Sequence, residues 1–439
     1  MKLRNQLLAL FLLLIFIAFG FLFFRNWVVQ KPFGIILFVG DGLSTNSLTA
    51  ARLYEGGANQ KLTVDSFRHL ALVRNAAADF AVPDAAAAAT AIATGVKGNN
   101  KAIALDPNGK ELASILSMAH EAGRATGIVT TGNLTNPSIS AFYAHTNDPA
   151  DVQGIASQLV DRAKVDIALG GGLAHFTPES KGGLRKDGRD LWLELRSKGY
   201  SLVRTKAELE NTPVFLTGPL VGMFSDDNMA YSSQVESGSQ QPSLSDMVRR
   251  AIEFLQTNRH GYLLVVNAAL ISRAAETNSA EKVLTETIDM DRAIATALEY
   301  AGDKTLILAV GQKDVGGLTL NGYPLNADHG VALLGTSASG LPAITWSTGP
   351  NGPKPASASL IAQPTPEASP APSPASGDKA NQRPPEPPQN TKAEPAAFGA
   401  PVAVDTARDM IAIGSGPGSE ELAGFMDNTV IFRILKKGL

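Results

Sequence analysis

The segment PDAAAAATAIATG, residues 83–95, sets an acid, Asp84, at the start of an alanine-rich helix that Gly95 stops. A helix N-terminus carries unsatisfied N–H groups and the positive end of the dipole, so it can seat an anion or steady a nucleophile. Ala85, with no polar side chain, fills the position after the acid. A second acid, Asp41, ends the apolar run GIILFVG. Cysteine is absent, which excludes disulfides and thiolate metal sites. The 6 histidines stand singly, with no pair at His-x-x-x-His spacing.

The elements that must position these residues have an α/β pattern. Apolar runs at Gly34 onward, Thr126–Thr131, Val165–Leu169, Tyr262–Val266 and Thr305–Val310 predict buried parallel strands. Helical segments alternate with them. The clearest is SLSDMVRRAIEFLQ, with Leu244, Met247, Val248, Ala251, Ile252 and Leu255 on one face and Ser243/Asp246 at capping-box spacing. This alternation predicts a largely parallel central sheet with helices on both faces. Ligands bind such sheets beyond the carboxyl ends of the strands, where Asp41, Asn133 and the residues after Val266 and Val310 should gather.

The chain has 439 residues and a formal net charge of −3, so nucleic acid is not an expected partner. Lys2 and Arg4 precede 18 apolar residues, Leu7–Phe24. That run makes about 27 Å of helix, close to a hydrocarbon core of roughly 30 Å. Residues 1–30 therefore read as a membrane anchor and short linker, with the rest of the chain facing the periplasm or cell exterior. A signal peptide cleaved near Ala18-Phe19-Gly20 is the alternative. Residues 31–349 carry the main part of one domain, 350–401 a Pro/Ala-rich insertion expected to be disordered, and 402–439 the remainder of that domain.

IILFVGDG, VPDAAAAATAIATGVKGNN, VTTGNLTNPSISAFYAH, ALGGG, PSLSDMVRRAIEFL, GGLTLNGYP and IAIGSGPGSEELAGFMDNTVIF occur in this order and resemble the alkaline phosphatase family. The resemblance implies an alkaline-phosphatase-like α/β sandwich. It also implies a two-zinc, one-magnesium phosphomonoesterase with a serine nucleophile and a phosphate-binding arginine. Carried over by position, Asp41 matches the aspartate that bridges metals, and Asp84 matches the acid before the nucleophile. The nucleophile falls on Ala85 and the arginine on Pro149. Remaining metal-ligand positions fall on Asn136, Ser138, Asn267, Ser272, Glu276, Gln312, Lys313 and Asp405.

One ligand position is thus retained, whereas zinc held by carboxylate and imidazole needs about three or four ligands per ion. The leading reading is a pseudophosphatase that binds a protein partner or an anionic small molecule. Zinc is not expected, and no other cofactor is required. Two further readings stand beside it: a phosphate-ester hydrolase with a rebuilt site, and an interaction module working through the Pro-rich loop. A homodimer fits the resemblance. Lys313 lies where its ammonium could replace a metal against Asp41, with Arg273 and Arg408 pairing likewise with Glu276 and Asp405. Alternatively these charges are solvated in an open cleft. A third arrangement has Asp41, Glu276, Asp314 and Asp405 holding Mg or Ca weakly, which Lys313 in their midst opposes. His145 and His329 read as ordinary packing and loop histidines.

Overall fold

Strand β1 (Gly34–Asp41) is eight consecutive buried residues, and its side chains divide between two cores. Ile36 and Phe38 enter one, while Ile35, Leu37 and Val39 enter the other, as the two-residue period of a strand requires when helices cover both faces. The computed structural model describes residues 4, 6, 10–18, 34–215, 218–321, 334, 340–353 and 394–439. Strands β2 (His69–Arg74), β3 (Ala125–Asn133), β4 (Ile167–Gly171), β5 (Ser201–Val203), β6 (Leu220–Met223), β7 (Tyr262–Ala268) and β8 (Leu306–Val315) follow β1. Beyond them come β9 (Thr319–Leu320), β10 (Ile344–Gly349), β11 (Ala396–Gly399), β12 (Asp405–Thr406), β13 (Met410–Ser415) and β14 (Phe425–Asp427).

Among the described residues the main sheet has 11 strands in the order β14-β2-β13-β8-β1-β7-β3-β4-β6-β5, with β12 added alongside β8. From β8 to β5 every neighbouring pair is parallel. Strand β13 runs antiparallel between β8 and β2. The expected parallel sheet is therefore present, with one reversed strand inserted near its edge. A small sheet, β11-β10-β9, lies off the main one.

Six helices matter below: α1 (Ala85–Thr94), α2 (Pro137–Ser140), α3 (Ser232–Glu236), α4 (Leu244–Leu255), α5 (Leu270–Glu276) and α6 (Ala280–Ala301). Helix α4 starts at the anticipated Ser243/Asp246 capping box and buries Leu244, Met247, Val248, Ala251, Ile252 and Leu255. Helices α4 and α6 contribute to the core that holds Phe38, and α1 to the opposite core. Each Leu, Ile or Phe removed from water in these layers is worth about 1.5–3 kcal/mol against the entropy of ordering the chain.

Three expectations meet the edges of the described residues. Residues 10–18 are helical, and the rest of the apolar N-terminal run lies outside them. Among the described residues no helix is long and apolar enough to cross a membrane. Residues 354–393 of the Pro-rich stretch, and His329, also lie outside. The insertion's far boundary needs correction: Ala396–Gly399 is β11, paired in parallel with β10, so the fold resumes before residue 401. Its AAFG sequence was masked by the prolines and alanines that precede it.

Candidate functional site

Asp41 closes β1, and the chain leaves through Gly42 at φ 92. A Cβ there would stand 2.9 Å from the Ser272 amide nitrogen, so only glycine lets this turn lie directly on α5. On the other side Asp41 is the register partner of Lys313 in β8, past an irregularity at Gly40/Asp41. Strand β12 runs antiparallel to the end of β8, pairing Asp405 with Val315 and Thr406 with Asp314. These three connections converge on one cluster.

At its centre the Lys313 ammonium donates to Asp405 Oδ1 at 2.6 Å and faces Asp41 Oδ1 at 3.9 Å. Asp41 is 2% exposed and Lys313 7% exposed, so water does little to screen the pair. The other Asp41 oxygen, Oδ2, accepts from Ser138 Oγ at 2.8 Å. Burial lifts the Asp41 carboxyl above its usual range, opposed by Lys313 and the Ser138 hydroxyl. Burial would lower Lys313, but Asp41, Asp405 and Glu276 together raise it, and it remains an ammonium. Of the two alternatives for these charges, the structure has the ion pair. Two buried acceptors, Asp41 Oδ1 and Gln312 Oε1, receive no hydrogen bond from described residues.

The remaining expected site residues divide. Gln312 reaches toward α1, where its Nε2 donates to the Ala85 carbonyl at 2.8 Å. Glu276 pairs with Arg273 at 3.0 Å, as anticipated. Arg408 does not pair with Asp405. Its Nε lies 3.5 Å from Asp314, and its Nη1 donates to the Leu318 carbonyl. Asp314 also accepts from the Thr406 hydroxyl. With Asp405 held by Lys313 and Asp314 held by Thr406 and Arg408, the four-carboxylate cation site does not assemble.

Several expected site residues serve the backbone instead. Asp84 caps α1, accepting from Ala87 N at 2.9 Å through Oδ1 and from Lys101 N at 2.7 Å through Oδ2. Asn136 caps α2 by accepting from Ser138 N. Asn267 joins neighbouring strands, accepting from Thr130 Oγ1 and donating to the Val39 carbonyl. Ser272 donates to the Ala269 carbonyl within its own turn. Pro149 occupies the turn before the helix Val152–Asp161. His145 contacts the Leu112 carbonyl through Nε2, in keeping with a packing role. Thr130 and Thr406, which complete these networks, were missed because an isolated threonine in a strand carries no spacing signal.

The donor set does not suit the zinc and magnesium ions that the resemblance implies. An ammonium occupies the space before Asp41, and the amide of Gln312 and both polar ends of Asn267 face the protein. Among the described residues no group of three or more His, Asp or Glu side chains could hold a metal ion. Ser138 is fully buried, so its hydroxyl meets no substrate. The cluster can neutralise and hold the strand ends together. It offers no exposed nucleophile.

Comparison with known proteins bears on the same span. The alkaline phosphatase family model matches residues 34–439. Alkaline phosphatase 4 of Bacillus subtilis is 33% identical over 299 residues, covering 65% of this chain and 62% of its own length. The human tissue-nonspecific alkaline phosphatase is 30% identical over 367 residues, covering 72% of this chain and 70% of that protein. The chain spans a little under two-thirds of the Bacillus protein's length. Among solved structures, Thermus thermophilus alkaline phosphatase superposes with a TM-score of 0.70 at 23% identity, over 93% of this chain and 92% of the other. The enzyme from the Antarctic bacterium TAB5 gives 0.68 at 20% identity, over 93% and 98%.

Proposed function

The chain belongs to the alkaline phosphatase family, and from that premise we propose that it is a non-hydrolytic member, a pseudophosphatase that acts by binding. One observation carries this reading: the Lys313 ammonium lies between Asp41 and Asp405, 2.6 Å from the second. A fixed cation of this kind satisfies a retained carboxylate without any bound ion. It supplies neither the Lewis acidity nor the activated oxygen that phosphoryl transfer through metals requires.

The same geometry favours a protein partner over a phosphate-like anion. Lys313 is neutralised by two carboxylates, so it has little charge left for an anion, and Arg273 and Arg408 are also engaged. The apolar N-terminal run would place the domain at a membrane, on its outer side. A homodimer would be in keeping with family members.

The test uses the full chain in detergent, equilibrated with zinc, magnesium and calcium and then dialysed. We expect no stoichiometric metal and no release of phosphate from p-nitrophenyl phosphate. Ala85→Ser should change neither result, because the ions that would activate that serine have no cage. The Oδ1 of Asp41, which receives no hydrogen bond from described residues, is the feature that favours a rebuilt hydrolase. Stoichiometric metal together with metal-dependent turnover would establish that alternative and end the pseudophosphatase reading.

A further inference from the structure

Away from Asp41 and Lys313, a cavity of about 380 Å³ opens among α3, α4, α6 and the end of β3 at Thr131. That volume suits a small organic molecule. Its lining includes two carboxyl groups three residues apart on α6, Glu286 and Asp289, which are 3% and 9% exposed. Such spacing places both side chains on one helix face. Glu286 Oε1 accepts from the Ser232 amide at 2.6 Å, where α3 begins. Asp289 also lines the cavity; no described donor hydrogen-bonds to it and no base stands within ion-pair distance, Arg292 acting on it only at longer range. A carboxyl group this deep in a cavity, with no hydrogen-bond donor supplied by the protein, is open to a ligand that brings one.

The surroundings define that partner. Met229, Val235, Leu244 and Met247 give the cavity an apolar wall. Its two basic side chains are already engaged: Lys206 with Asp246 at 2.7 Å, and Arg292 with Glu236 at 2.7 Å and Glu55 at 3.2 Å. The unmatched groups are therefore acceptors. Calcium and magnesium need six or more oxygen ligands; of the four acids lining the cavity, Asp246 and Glu236 are held by Lys206 and Arg292, and the other two beside a thioether-lined wall do not supply them. An organic cation needs only a few acceptors for its head and an apolar surface for its chain.

We propose that this cavity binds a small alkylammonium ion, its head held by Asp289 and Glu286 and its chain laid on the methionine-lined wall. The inference does not rest on the pseudophosphatase reading, since none of the Asp41 cluster lines the cavity. Burial pushes Glu286 up to about 8 and Asp289 up to about 7. The charged groups around them are Lys206, Glu236, Asp246, Lys282 and Arg292. Both groups therefore titrate near neutral pH, and a bound cation favours their ionised, accepting forms and drives protons off.

Isothermal titration of the full chain in detergent tests this with butylammonium, its neutral isostere butanol, butyrate and calcium. Butylammonium should bind at one equivalent, with a heat that varies with buffer ionisation enthalpy as protons leave. Butanol and butyrate should bind at least about tenfold more weakly, the scale of one charge-assisted hydrogen bond. Asp289→Asn removes the charge without breaking a contact, so it should fold and lose about tenfold in butylammonium affinity. Equal binding of butylammonium and butanol by the unaltered chain would overturn the proposal. So would unchanged affinity in Asp289→Asn, or calcium binding without amine binding.

Discussion

Lys313 decides the electrostatics of the cluster because it stands between two carboxylates that would otherwise confront each other. At 3.9 Å and an effective dielectric of about 20, its gross attraction to Asp41 is about 4 kcal/mol. Most of that offsets desolvation, so the pair adds little net stability, yet removing one partner is expensive. Lys313→Met should therefore lower unfolding stability by about 3–5 kcal/mol, read from urea midpoints. Adding Asp41→Asn to that variant should recover much of the loss, since the buried charge then disappears with its partner. A Lys313→Met chain as stable as the parent would show that the cluster is hydrated. The sequence placed Lys313 against Asp41 but sent Arg408 to the wrong acid. Positional resemblance carries over where a Cα lies, whereas a long side chain chooses among the carboxylates within its reach.

At the scale of elements, α1 shows how caps and small buried side chains fix a helix against its neighbours. Asp84 satisfies Ala87 N and Lys101 N, Ala86–Ala89 pack inside, and Gly95 ends the helix at φ 74. A Cβ at Gly95 would meet the Phe432 ring at 2.5 Å, so the stop also makes room for the C-terminal helix Thr429–Lys437. Asp84→Ala should cost about 1–2 kcal/mol, because both amides lose their acceptor. Hydrogen exchange should show faster opening at α1 than at α4, and equal protection before and after the change would refute the capping role. Runs that are buried on both faces, such as β1, β7 and β8, were legible because they read as continuous apolar stretches. β5 and β6 are short, and β13 was not anticipated as a reversed strand. Its direction is set by pairing with β8 and β2, which no local pattern encodes.

The whole molecule carries a pH dependence that follows from acids whose burial outweighs the bases near them. Folding raises Glu286 from 4.5 to about 8 and Asp289 from 3.8 to about 7, in both cases chiefly through burial. Between those limits the folded chain holds protons that the unfolded chain has lost, so stability must fall as pH rises. The contribution is fully present below about pH 4 and is lost by about pH 8, at a scale of several kcal/mol for the coupled pair. Exposed carboxylates lowered by arginine, such as Asp161 beside Arg189 and Asp65 beside Arg52, act oppositely and lose their contribution only on further acidification. Lys313, raised in the fold, contributes throughout this window and weakens only above its ordinary range. The melting temperature should therefore decline from pH 5 to pH 8 rather than reach a plateau near neutrality. Glu286→Gln with Asp289→Asn should flatten that decline, since neither amide titrates. A parent profile that rises over the same interval, or a double variant with the parent's slope, would mean that these carboxyl groups reach water or a cation in the native molecule.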